Sequence, residues 1–81
     1  MPIQRSEIVG LIFDAAKETI ESLHNHHFEE TDSLENLGAD SMERADIVML
    51  VLERIGIDIP RVETVGPKNI GELANLLVEK L

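Results

Sequence analysis

Apolar residues recur at helical spacing in three stretches of this chain, and the segments between them hold the Gly, Pro, Asn and Asp residues that interrupt regular structure. That pattern predicts an all-α fold. The first stretch runs from about Ser6 to Leu23, with Ile8, Leu11, Ile12, Ala15, Ala16, Ile20 and Leu23 on one stripe and Glu7, Asp14, Lys17, Glu18 and Glu21 mostly opposite. Ser6 is placed to cap this helix, and Glu7 falls near its positive end. Gly10 inside the pattern costs about 1 kcal/mol relative to alanine, which predicts close packing or local fraying there.

A polar connection follows from His24 to Asp40, with Phe28, Leu34 and Leu37 expected to pin it to the core. The second helix is expected from Ser41 to about Ile55, a rod of roughly 22 Å at 1.5 Å per residue. Its middle, Ile47 to Leu52, is apolar on nearly every side, so it either sits centrally against both other helices or leaves part of its surface for a partner. Gly56 ends it. Pro60 and Pro67 bracket a segment in which Arg61 to Val65 forms one short helical turn. In the last helix Asn69 is the cap, Glu72 completes a capping box, and Ile70, Leu73, Leu76, Leu77 and Leu81 make the buried stripe. The expected architecture is a small bundle of three main helices plus that short turn, in a single domain over residues 1–81.

Composition narrows the functions open to such a bundle. At 81 residues only one modest core is possible, which leaves little room for a deep substrate cavity. The absence of cysteine removes disulfides, thiolate metal sites and cysteine nucleophiles, so any sulfur chemistry must come from an added cofactor. It also suits a reducing cytoplasm. No apolar run reaches the ~20 residues of a membrane span, and the N-terminus has no basic segment followed by a secretory apolar stretch. Seven basic residues against 16 acidic ones give a formal charge of -9, which repels phosphate backbones and anionic lipid. With Phe13 and Phe28 the only aromatics, no stacking platform for bases exists. A soluble, cytoplasmic monomer whose partners carry basic patches is therefore expected, with neither nucleic acid nor membrane among them.

The most informative local sequence is Leu37-Gly38-Ala39-Asp40-Ser41-Met42. A glycine permits a tight turn, and an Asp-Ser pair then opens a long apolar helix, which places a hydroxyl where backbone N–H groups are unpaired and the helix dipole is positive. Such a position favours an anion, so a phosphate esterified to Ser41 would be electrostatically supported. The plainer alternative is that Ser41 or Asp40 is only an N-cap, and caps are far commoner than modified serines.

Leu37 to Met42, followed by Glu43, Asp46 and the apolar run to Leu52, resembles the attachment region of acyl carrier proteins, whose motif is Gly-(any)-Asp-Ser-Leu. The likeness extends over length, acidity, lack of cysteine, the long first connection, the Ile59-Pro60 pair and the capped final helix. It implies the carrier fold, usually described as a four-helix bundle, and a covalent 4'-phosphopantetheine on Ser41. It also implies that Asp40 positions the metal ion during arm transfer from coenzyme A, and that the exposed side of residues 42–54 docks partners. The implied partners are a phosphopantetheinyl transferase, an acyl-loading enzyme and a ketosynthase or hydroxymethylglutaryl-synthase-like enzyme. A carrier is not itself an enzyme.

On the docking face the helical spacing from Ser41 selects Met42, Ala45 and Met49 as its apolar part, with Glu43, Arg44 and Asp46 as charged neighbours; burial in the core is the competing reading for the apolar three. Met42 stands where the family has leucine, a swap that roughly conserves volume and costs less than about 1.5 kcal/mol. Arg44 and Arg54 add positive charge to a helix that is more uniformly acidic in fatty-acid carriers, which implies a specialised partner set. The run from Asp40 to Ile47, with Ile59 to Glu63 and Asn69 to Leu73, is similar to the free-standing donor carriers of polyketide β-branching cassettes, which present an acetyl group to a hydroxymethylglutaryl-synthase-like enzyme. A fatty-acid-type carrier and a cofactor-free acidic interaction module are the alternatives.

Other signals are weaker. His24, His26 and His27 beside Glu29, Glu30 and Asp32 match no defined ligand spacing and read as a solvated loop, so no metal site is expected. Residues 32–43 imitate a calcium loop but place Leu37 where glycine is required and Leu34 where an oxygen ligand is required. Ser41 has no histidine near it in sequence to act as a base, and no second catalytic motif supports hydrolase chemistry.

Overall fold

The computed structural model describes residues 3–81, the Arg61 side chain excepted. Among these residues there are three α-helices and no strand: α1 (Arg5–Thr19), α2 (Ser41–Ile55) and α3 (Ile70–Glu79). Two 3-10 turns, Glu21–Leu23 and Arg61–Thr64, lie in the connections. The expected short turn before the last helix is therefore present, but it is a single 3-10 turn, too short to bury a face of its own. The description as a four-helix bundle reduces here to three α-helices.

α1 packs against both α2 and α3, so it, and not α2, is the central helix. Its buried residues Ile8, Val9, Ile12, Ala15 and Ala16 follow the i, i+1, i+4, i+7, i+8 pattern of one helical face. Ala15 and Ala16 are fully buried, and their small side chains let the neighbouring helices approach closely. Val9 takes the buried place expected of Leu11, which is only partly covered. Ile47 and Val51 from α2 and Ile70 and Leu77 from α3 complete the fully buried centre. Leu76 is only half-buried and Leu81, placed in the α3 stripe by its spacing, is exposed because the helix stops at Glu79.

The helix ends follow local chemistry. α1 starts one residue before the expected cap: Gln4 is the N-cap, with no side-chain bond, and Ser6 lies within the first turn. It ends at Thr19, where Ile20 turns extended and the chain re-enters as the first 3-10 turn up to the buried Leu23. α2 spans Ser41–Ile55 as expected and closes on Gly56, whose φ of 75° is in the left-handed region that glycine tolerates best. Arg54 in its last turn donates to Glu18 of α1 at 2.8 Å.

The long connection is held at several points. Phe28 and Leu34 are buried, and the Phe28 ring stacks on Phe13 with centroids 5.6 Å apart. His26 meets the same ring edge-on at 4.7 Å and lies 3.2 Å from the Asp32 carboxylate, so it is part of the loop's internal structure. Asp32 also accepts from the Glu29 N–H at 2.9 Å; that bond, with His26 beside it, holds the Asp32 carboxyl below its ordinary value of 3.8. The carbonyls of Glu30 and Asp32 accept from the amides of Gly71 and Ile70 at 2.9 and 3.0 Å. Arg5 closes this junction by donating to Asn75 Oδ1 and Glu30 Oε1, both at 2.6 Å, and to the Gly71 carbonyl at 3.2 Å.

Gly10 is neither tightly packed nor a break. α1 runs through it, and a Cβ built there meets nothing within 4 Å. Gly10→Ala should therefore stabilise the protein by about 0.5–1 kcal/mol, read as a rise of several degrees in melting temperature. Acid should act in the opposite direction. A carboxyl lowered on folding stabilises the fold above its unfolded pKa, and that contribution is lost as pH falls through the folded value. Melting temperature should thus drop as pH is taken below 3.8, and Asp32→Asn should shrink that drop by lowering the melting temperature at neutral pH while leaving it little changed in acid.

Candidate functional site

The site is the start of α2. Gly38 adopts φ 102°, a conformation that a residue with a Cβ avoids, and this turns the chain into the buried Ala39. The Ala39 N–H donates to the Leu34 carbonyl at 3.0 Å, which ties the turn to the pinned connection. Asp40 then caps the helix. Its Oδ1 accepts from the Glu43 N–H at 2.8 Å while Glu43 Oε1 accepts from the Asp40 N–H at 3.0 Å, a complete capping box. Asp-Ser-Met-Glu has the spacing of that motif, so the choice of Asp40 over Ser41 as the cap was available in the residues through Glu43.

Ser41 is the first residue of α2 and is exposed. Asp40, and not Ser41, is the cap, so the serine hydroxyl is not consumed in closing the helix. Among the described hydrogen bonds, the amides of Ser41 and Met42 have no partner within the protein. α3 is built the opposite way. Its first two amides are taken by the connection's carbonyls, and Glu72 N–H donates to Asn69 Oδ1 at 2.8 Å. Its expected capping box is incomplete, because Glu72 Oε1 accepts from Lys68 N–H at 3.1 Å instead of from Asn69.

Beside Ser41 runs a groove of about 900 Å³, with Leu34, Val48, Ile70 and Leu73 along its apolar walls and Ser33 and Lys68 among its polar residues. Exposed hydroxyl, unpaired helix-start amides and an open groove fit a phosphodiester on Ser41. Acidic neighbours oppose it, but the Asp40 and Glu43 carboxylates are already engaged with backbone N–H groups.

The other expected site residues divide. Met42 is 76% exposed and Met49 49%, which removes the core reading for both; Ala45 is half-buried. Asp46 is exposed, whereas Glu43 is half-buried in the capping box. Arg44 is half-buried and donates through Nη1 to the Ala39 carbonyl at 2.7 Å, so its charge is directed inward. Helical spacing from Ser41 does not reach Val62 and Val65, each 77% exposed at the second 3-10 turn; two valines in a segment bracketed by prolines are the signal that could have found them.

Residues 8–77 match the family model for the phosphopantetheine attachment site. The chain belongs to that family, the acyl carrier proteins, whose domain holds a covalent 4'-phosphopantetheine and serves as a carrier, not a catalyst. It is 50% identical over 79 residues, 98% of this chain and 96% of the relative, to the polyketide biosynthesis acyl-carrier protein AcpK of Bacillus subtilis (strain 168). It is also similar, at 40% identity and a TM-score of 0.90, to a chain in the crystal structure of the curacin biosynthetic pathway HMG synthase in complex with an acetyl donor carrier protein. That likeness covers 95% of this chain and 99% of the other. No described helix is long and apolar enough to cross a membrane.

Removing the cap should be measurable. Asp40→Ala should cost about 1 kcal/mol of stability, while Asp40→Asn, whose amide oxygen still accepts from the Glu43 N–H, should cost about half of that or less. Thermal melts of the two variants side by side check this.

Proposed function

We propose that this chain is a single-domain donor carrier for polyketide β-branching. It would hold an acetyl group on a 4'-phosphopantetheine arm joined to Ser41 and present it to a hydroxymethylglutaryl-synthase-like enzyme. The observation that carries the attachment assignment is the open start of α2, where Ser41 is exposed and, among the described hydrogen bonds, its own amide and that of Met42 have no partner. The likeness to the carrier solved with an HMG synthase supports the donor role, and so does the polyketide relative. The arm, when bound, supplies a thiol that carries the acyl group as a thioester.

The chain's own residues have narrower tasks. Ser41 Oγ forms the ester to phosphorus when a phosphopantetheinyl transferase delivers the arm from coenzyme A. Asp40 presents a carboxylate, anchored by one oxygen to Glu43 N–H, that can reach the transferase's metal ion with the other. Met42, Ala45 and Met49 form the apolar part of the docking face, with Glu43 and Asp46 around it; Arg44, expected there too, turns its guanidinium inward to the Ala39 carbonyl. Methionine suits this place because its flexible, polarisable side chain adapts to more than one partner, as a protein visiting a transferase, an acyl-loading enzyme and a synthase requires.

Two measurements test the proposal. Incubation with coenzyme A, magnesium and a broad-specificity transferase should add one phosphopantetheine to the intact mass of the wild type and none to Ser41→Ala. A wild type that stays at its unmodified mass would end the carrier assignment at Ser41. Acetyl-loaded protein should then transfer acetyl to a β-branching synthase faster than a fatty-acid carrier does, and equal rates would remove the donor role while leaving the carrier role.

A further inference from the structure

The geometry points to Arg44 as a positioning residue for arm attachment, one that acts through the backbone before Ser41 and not by contact with a partner. The inference rests on the assignment of Ser41 as the attachment residue. It starts from one peptide group, the bond between Ala39 and Asp40. The carbonyl end of that peptide accepts from Arg44 Nη1 at 2.7 Å, and the amide end donates to Glu43 Oε1 at 3.0 Å. Two consecutive side chains of α2 thus grip both ends of the last peptide plane before the helix.

The need for the grip is specific to this carbonyl. The ladder of α2 begins at the Asp40 carbonyl, which accepts from the Arg44 N–H at 2.9 Å; the Ala39 carbonyl lies one peptide outside it and has no helical donor. Ala39 is 3% exposed, and among the described hydrogen bonds Arg44 is the one protein donor to its carbonyl. Without Arg44 the peptide keeps the Glu43 bond at its amide end but loses the hold on its carbonyl, so the plane tilts more readily about the Ala39 and Asp40 torsions on either side of it. Those torsions aim the Asp40 carboxylate and the first turn that carries Ser41. A charged donor to a half-buried carbonyl is also among the stronger kinds of hydrogen bond. The guanidinium is committed inward, which sets Arg44 apart from Met42 and Asp46 on the exposed side of the same helix.

Steady-state kinetics of arm transfer by a broad-specificity transferase separate positioning from docking. Arg44→Met keeps much of the apolar stem and removes the donor; its kcat for loading should fall about ten-fold with KM changed less than about two-fold, because misaligned reacting groups cost rate more than binding. Arg44→Lys, which can still reach one carbonyl, should recover most of that rate. Lys17→Met removes an equal charge from the last turn of α1, away from the docking helix, and should load as wild type does. An unchanged kcat for Arg44→Met, a rise in KM alone, or equal slowing by Lys17→Met would each overturn the inference. Amide exchange of Asp40 in the unmodified protein tests the same point without the transferase: it should quicken about ten-fold in Arg44→Met, since a loosened peptide opens more often, and unchanged protection counts against the idea. Failure of the wild type itself to load would instead strike the Ser41 assignment.

Discussion

The architecture depends on the junction between the long connection and α3. Ordering a loop of this length costs conformational entropy on the order of 1 kcal/mol or more per residue, so the chain stays in one path only if the path is fastened repeatedly. Glu30 and Asp32 fasten it by giving their carbonyls to the first amides of α3, and Phe28 and Leu34 bury their side chains beneath it. Arg5 bridges α1, the connection and α3 in one place, and its guanidinium holds the Glu30 carboxyl below its ordinary value of 4.5. Because Leu34 is fixed, the Ala39 amide that bonds to it is fixed too, and α2 begins where that bond allows.

The same junction creates a contrast between two helix starts. Every early amide of α3 has a partner inside the protein, so that positive helix end is spent on holding the fold together. α2 receives its capping box, and among the described hydrogen bonds the Ser41 and Met42 amides stay open. A positive end that is left unpartnered on a strongly acidic molecule is a local exception to the surrounding field, and an anion attached there meets donors instead of repulsion. The fold thus separates a helix start used for stability from one whose first residue, Ser41, stays exposed, as the proposed attachment requires.

Much of this is legible in the residues, and what is not has physical causes. α2 can be delimited because Asp-Ser opens it and Gly56 closes it in the left-handed conformation, both local requirements. The carrier reading follows from a motif that is short but sits at a helix start of the right length. The central position of α1 is not legible, because the length of the apolar run in α2 suggests a middle helix; two buried alanines, which let neighbours approach, decide the packing instead. Carbonyls of Glu30 and Asp32 capping α3 leave no trace in the sequence, since any residue type can offer a backbone oxygen. Helical register places Arg44 on the docking face, and register alone does not reveal that a long side chain curls back to Ala39.

These pieces join in one requirement of a carrier, that attachment be rigid while recognition stays weak enough to be reversed. Rigidity is concentrated in the few residues from Gly38 to Arg44, where a positive φ, a capping box and a charged hydrogen bond act within one turn. On the proposed docking face, reversible recognition would rest on the exposed Met42 and Met49 of α2 and on Val62 and Val65 at the 3-10 turn, small apolar contacts among the described residues. An interface of that kind falls toward the small, transient end of protein contacts, and tethering compensates by raising the local concentration of the acyl group at an enzyme's active site. Stronger docking would slow release between successive partners, so the modest apolar face is a consequence of the carrier role and not a deficiency in it.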